Sequence, residues 1–83
     1  MGTKEKLIKR FESLPSDFTW DEYCRLFRIL GFELYNKGKT SGSRIIFKKG
    51  IFKYTAHKPH PEKFMKKYMM KQTLKYLKEN KLL

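Results

Sequence analysis

The chain has 83 residues, 40% hydrophobic and 16% aromatic, with one cysteine, Cys24. That is one small domain with enough apolar side chains for one core; it leaves no room for a cofactor domain and no internal disulfide. The formal net charge is +12, and a folded domain so charged is built to meet a polyanion.

The opening residues, Met1-Gly2-Thr3-Lys4-Glu5-Lys6, turn polar at once, unlike a signal peptide. No apolar run approaches the roughly 18 residues of a membrane span. With the lone cysteine, this predicts a reducing, cytoplasmic setting and no membrane partner.

Leu7, Ile8, Phe11 and Leu14 recur at helical spacing, and Pro15 follows, which predicts a first helix from about Thr3 to Leu14. A second helix is expected to begin at Thr19, because Thr19-Trp20-Asp21-Glu22 has the form of a capping box. Tyr23, Cys24, Phe27 and Leu30 give it an apolar stripe, and Gly31 is placed to end it. Cys24 lies in that stripe and reads as core.

Phe32-Glu33-Leu34-Tyr35 alternates as a strand with Phe32 and Leu34 on one face. Lys37-Gly38-Lys39-Thr40-Ser41-Gly42-Ser43 reads as a loop able to clamp a phosphate backbone through amides and lysines. It contains Gly-Lys-Thr, but the glycine that a phosphate-binding loop needs five residues before Gly38 is replaced by Glu33. Arg44-Ile45-Ile46-Phe47-Lys48 and Ile51-Phe52-Lys53-Tyr54-Thr55-Ala56-His57 read as two strands joined by a tight turn at Lys49-Gly50. His57-Lys58-Pro59-His60-Pro61 is a stiff loop, since two prolines lack amide donors. Pro61 is placed to open a last helix from about Glu62 to Asn80. There Met65, Met69, Met70, Tyr76 and Leu77 fall on one arc, opposite Lys63, Lys67, Lys71, Lys75 and Lys78, with Phe64 and Tyr68 at the edge. The expected class is α+β in α-α-β-β-β-α order, a three-stranded antiparallel sheet with helices packed on one face.

Charge divides this chain in two. Residues 1–35 hold six basic and six acidic side chains, while residues 36–83 hold 14 basic and two acidic, Glu62 and Glu79. The lysines of the last helix lie three and four residues apart and repel one another. A solubilising surface would mix both signs; a phosphate backbone beside these lysines would relieve the repulsion. RNA is the expected polyanion, with Lys37, Lys39, Ser43, Lys48, Lys58, Lys63, Lys67 and Lys71 as candidate contacts. Two histidines three residues apart, His57 and His60, with Arg44 on a neighbouring strand, make a workable set for cutting RNA without metal. Histidine both takes and gives a proton near pH 7, and an arginine fork can hold two phosphate oxygens. One cysteine and two histidines do not supply the roughly four ligands of a zinc site, and the two acids of the basic half are far apart, so no cofactor or metal is expected.

Gly42-Ser43-Arg44-Ile45-Ile46-Phe47, followed by a short hairpin, resembles the Gly-Ser-His-x-x-Phe core of HicA toxins, small basic ribonucleases of bacterial toxin–antitoxin pairs. His60-Pro61 before a helix ending Thr73-Leu74-Lys75-Tyr76-Leu77-Lys78-Glu79-Asn80-Lys81-Leu82-Leu83 is similar to that family's second half. The resemblance covers roughly Thr19 to Leu83. It implies a single HicA-like domain over 1–83, with 3–14 as an additional N-terminal helix. It further implies a fold like that of double-stranded-RNA-binding domains, cleavage of mRNA, and a HicB-type antitoxin as partner. The sequence departs from the pattern at one place: Arg44 stands where the family carries its catalytic histidine. Relocated chemistry at His57 or His60, and a non-catalytic RNA-binding domain on the same fold, both fit that departure. A DNA-binding protein fits less well, because no recognition helix bearing Arg, Asn or Gln is evident.

Overall fold

The computed structural model describes residues 2–35, 44–59 and 63–83, with Tyr35 and Arg44 described by backbone alone. Within them the element order is α1 (Thr3–Glu12), α2 (Trp20–Ile29), β1 (Glu33–Tyr35), β2 (Arg44–Lys49), β3 (Phe52–His57) and α3 (Lys67–Glu79). The strands form an antiparallel sheet in the order β1-β2-β3. The expected α+β class and element order are those observed.

The second helix starts as its sequence dictates. The Thr19 hydroxyl accepts from the Glu22 amide, and the Glu22 carboxylate accepts from the Thr19 amide, a complete capping box. The Trp20 amide, another donor without a partner inside the helix, reaches the Lys63 carbonyl. At the other end Gly31 sits just past the C-cap with φ +95°, the left-handed conformation that glycine adopts without strain. The amides of Gly31 and Phe32 bond the carbonyls of Arg28 and Phe27, and the Phe32 ring packs edge-on against Phe27 at 5.0 Å. This Schellman ending turns the chain directly into β1. Lys49 Nζ reaches across from β2 to donate to the Leu30 carbonyl at 2.6 Å, so a lysine closes the negative end of α2.

One face of the sheet is the floor of the core. Phe47 stacks on Phe27 with ring centroids 4.2 Å apart, and Phe27 also stacks on Tyr54. Tyr23 packs edge-on against both Phe27 and Phe47. Burial of each large ring contributes on the order of 1.5–3 kcal/mol. From α3, Met70, Thr73 and Leu77 are buried in the same layer. The buried Thr73 hydroxyl is shared by the phenols of Tyr23, at 2.8 Å, and Tyr54, at 3.0 Å, so α2, β3 and α3 meet at one polar point inside the core. No local pattern around Thr73 marks it for that role. Helix α1 packs against α2 and α3, where Phe11 meets the rings of Phe18 and Tyr23. Arg10 ties it to the start of α2 through Glu22 and Asp17.

Four expectations need correction. The last helix begins at Lys67, not near Glu62. Lys63, Phe64 and Met65 precede it and run alongside Phe18 to Trp20: Thr19 pairs with Phe64 in an antiparallel bridge, and the Met65 amide bonds the Phe18 carbonyl. Met65 is buried, so its apolar character serves the core from an extended segment and not from a helical face. The first helix ends at Glu12, because Leu14 takes a left-handed φ of +52° that no helix continues through. Ile51 belongs to the turn with Gly50, not to β3, and is 94% exposed. Leu34 shares a face with Phe32 but is 42% exposed, because β1 is a short edge strand that helix packing covers only at its start.

Candidate nucleic-acid interface

The hairpin turn fixes what the sheet's second face presents. With Lys49 opposite Phe52, each residue of β2 has a set partner on β3: Phe47 with Tyr54, Ile45 with Ala56, and Arg44 with His57. Alternation then sends Phe47, Tyr54 and Ala56 to the core and Lys48, Lys53, Thr55 and His57 to the other side, where all four are exposed. The pairing of Arg44 with His57 brings together two of the three residues assigned to chemistry from sequence. They are directly opposed positions at the end of the hairpin away from its turn. The register follows from a two-residue turn at Gly50-Ile51, so the signal lay in the sequence once that turn was placed.

His57 lines a groove of about 180 Å³ between the end of β3 and the start of α3. Its other walls are Lys58, Pro59, Met65, Lys66, Tyr68 and Met69. Two cations thus share the groove with the imidazole, and among the described residues no acidic side chain lines it. The first turn of α3 also carries no acidic side chain, so the positive end of its dipole adds to the same field. Lys58 and Pro59 continue into an adjoining hollow with Thr19, Trp20, Asp21 and Lys63. Lys66 and Tyr68 had not been singled out from sequence; Tyr68 showed only as an aromatic at the edge of the helical arc.

The remaining assignments divide by place. Lys48 is on the open sheet face, and Lys67 and Lys71 are exposed along α3 beyond the groove. Lys63 lies over the ring of Phe64, its Nζ 5.5 Å from the centroid. Lys37, Lys39, Ser43 and His60 lie outside the described residues, as does the loop Lys37 to Ser43.

The groups elsewhere serve the fold. Burial pushes the Cys24 thiol up, which keeps it protonated and unreactive. Burial likewise raises the Tyr23 phenol, which stays neutral beside Thr73. A larger cleft of about 460 Å³ lies between α1 and α2, but its Arg10 and Glu22 are already paired with each other at 2.8 Å. Among the described residues no three His, Cys, Asp or Glu side chains come together as metal ligands, and no helix is long and apolar enough to cross a membrane.

Searches of curated proteins and of solved structures returned no match. The family model described as HicA toxin of bacterial toxin–antitoxin matches residues 20–78. That span takes in α2, the whole sheet and all of α3 except Glu79, and leaves α1 outside. The match covers well over half of the chain, which therefore belongs to the HicA toxin family of bacterial toxin–antitoxin systems.

Proposed function

We propose that this toxin is an endoribonuclease that cuts mRNA in the cytoplasm, with the catalytic imidazole moved from β2 to β3. The observation that carries the reading is the register: Arg44, which the resemblance sets where the family carries histidine, has His57 as its direct cross-strand partner. A histidine transferred across one rung of the ladder stays on the same face and within one side chain's reach of the same phosphate. The reaction needs no metal. A base takes the proton of the RNA 2′-hydroxyl, the 2′-oxygen attacks the adjacent phosphorus, and the bond to the 5′-oxygen breaks as that oxygen gains a proton. The products are a 2′,3′-cyclic phosphate and a 5′-hydroxyl. His57 serves one proton transfer, and His60, three residues further along the chain, is the candidate for the other. Arg44, Lys58 and Lys66 supply positive charge to the phosphate as it gains negative charge.

As a toxin of such a pair the chain has an antitoxin for a partner. We read it as a HicB-type protein that sets carboxylates against the lysines of the groove and covers His57. Helix α1 reads as an addition to a single HicA-like domain, held on by Arg10.

Induction in bacterial cells of the wild type and of His57→Ala, His60→Ala and Arg44→Ala, with mRNA followed over time, tests this reading. The wild type is expected to arrest growth and shorten mRNA. His57→Ala is expected to be harmless yet folded, its cleavage down by about 10²- to 10⁴-fold in vitro. A harmless wild type with intact mRNA would leave the alternative, an RNA-binding domain that keeps the fold without the cut.

A further inference from the structure

Tyrosines in this protein have partners, with one exception among those whose side chains are described. Tyr23 and Tyr54 bond Thr73, and Tyr76 packs against Tyr54 at 4.7 Å. Tyr68 has no hydrogen-bond partner, ring neighbour or cation over it among the described residues, and it is 58% exposed. The nearby Phe64 is also exposed, but Lys63 lies over its ring. Tyr68 therefore offers an aromatic face to solvent, at a cost in exposed apolar surface and with no structural return.

Its place is specific. Tyr68 stands in the first turn of α3 and shares one groove with His57, Lys58 and Lys66. The groove has the three features a nucleotide needs: a flat ring, two cations, and an apolar floor in Pro59, Met65 and Met69. Its volume of about 180 Å³ falls short of the roughly 300–1,000 Å³ of small-molecule sites, so it suits one flat group and not a whole ligand. An antitoxin segment could meet these cations only with carboxylates of its own, whereas a nucleotide meets the cations with its phosphate and the ring with its base. In a duplex the base faces are buried in the stack, whereas an unpaired base can splay out onto an aromatic side chain.

We propose that the groove between the end of β3 and the first turn of α3 holds one unpaired nucleotide of RNA, its base stacked on Tyr68 and its phosphates at Lys58 and Lys66. The substrate is then single-stranded RNA, although the family resemblance implies a fold like that of double-stranded-RNA-binding domains. The proposal takes its ligand class from the ribonuclease reading, but it concerns binding and survives if no bond is cut.

The test is therefore a binding measurement on RNA that cannot be cleaved. A labelled, random-sequence 2′-O-methyl 12-mer, whose nucleophile is blocked, is titrated with the full chain at fixed salt, next to a blunt duplex of the same length. Tyr68→Ala is expected to weaken single-strand binding by about 5- to 100-fold and duplex binding by less than about twofold. Tyr68→Phe and Tyr68→Trp are expected to stay within about threefold of wild type, because the ring and not the hydroxyl is used. Exposure of Tyr68 predicts unchanged melting temperatures for all three. Single-strand affinity that survives Tyr68→Ala, a loss in Tyr68→Phe as large as in Tyr68→Ala, tighter binding of the duplex by the wild type, or an effect of Tyr68→Ala on the antitoxin alone would each overturn the proposal. Ordinary RNA that is bound with the expected Tyr68 dependence but left uncut would defeat the ribonuclease reading and leave this one standing.

Discussion

The two faces of the sheet are made of alternate residues of the same strands, yet they do opposite work. Phe47, Tyr54 and Ala56 face the helices, and Phe47 lies flat on Phe27 at 4.2 Å. Lys48, Lys53, Thr55 and His57 face away and are exposed. One side is constrained in size and shape by close packing. The other is exposed at Lys48, Lys53, Thr55 and His57, so the close packing of the core does not dictate which residues stand there. The Arg44 position falls in register on the same side of the sheet as its direct partner His57, where the core does not dictate which residue stands.

The sharpest way to break this comparison is to truncate a residue on each side. Phe27→Ala removes the ring against which Phe47, Tyr54, Tyr23 and Phe32 all pack. It is expected to cost about 3–5 kcal/mol in urea denaturation, a large part of the roughly 5–15 kcal/mol that holds a domain together. Lys53→Ala, on the open face, is expected to stay within about 0.5 kcal/mol. Equal effects from the two would mean that the faces are not divided as described.

A smaller effect probes the one polar point on the covered side. Thr73→Val keeps the shape of the side chain but removes the hydroxyl that Tyr23 and Tyr54 share. The buried phenol of Tyr23 and the half-buried one of Tyr54 then lose that partner, and the expected loss is about 1–3 kcal/mol, read by the same denaturation experiment. Mutating both tyrosines to phenylalanine in the Thr73→Val background is expected to recover part of it, since no unsatisfied group remains. Failure to recover would place the cost in packing and not in the hydrogen bonds.

What could be read in advance follows the range of the forces involved. The capping box at Thr19 and Glu22, the glycine ending of α2 and the alternation of Phe52, Tyr54 and Ala56 are settled by neighbours in the chain, and the sequence shows them. Thr73 was not legible as core, because its partner Tyr23 lies fifty residues away. The start of α3 was misplaced for the same reason. Met65 fits a helical arc with Met69, but its amide is held by Phe18 and its neighbour Phe64 bridges to Thr19, contacts that no local pattern reveals. In the candidate site, the basic half and the histidines were visible as composition. The grouping of His57 with Lys66 and Tyr68 was not, since it depends on where α3 begins.

The smallest expected effect concerns the layer that carries the covered face, where one carboxylate does two tasks. Glu22 completes the capping box of α2 and receives Arg10 from α1 at 2.8 Å. The Arg10 guanidinium, and after it the Thr19 amide, holds this carboxyl below its usual range. A group whose folded pKa is depressed binds its proton more readily in the unfolded chain. Its contribution is therefore complete above the ordinary glutamate value of about 4.3, shrinks as pH falls below it, and is gone below the depressed folded value. Thr19→Ala is expected to cost about 1 kcal/mol at neutral pH by removing the cap. Glu22→Gln keeps a capping acceptor but removes the charge. Its stability is expected to fall short of wild type at pH 7 by less than that, and the gap should close as pH drops through this window. Other carboxylates titrate in both proteins and cancel in the difference. A gap that held constant down to pH 3 would show that the charge on Glu22 plays no part and that α1 is held by its buried Leu7 and Phe11 and by the Arg10–Asp17 pair.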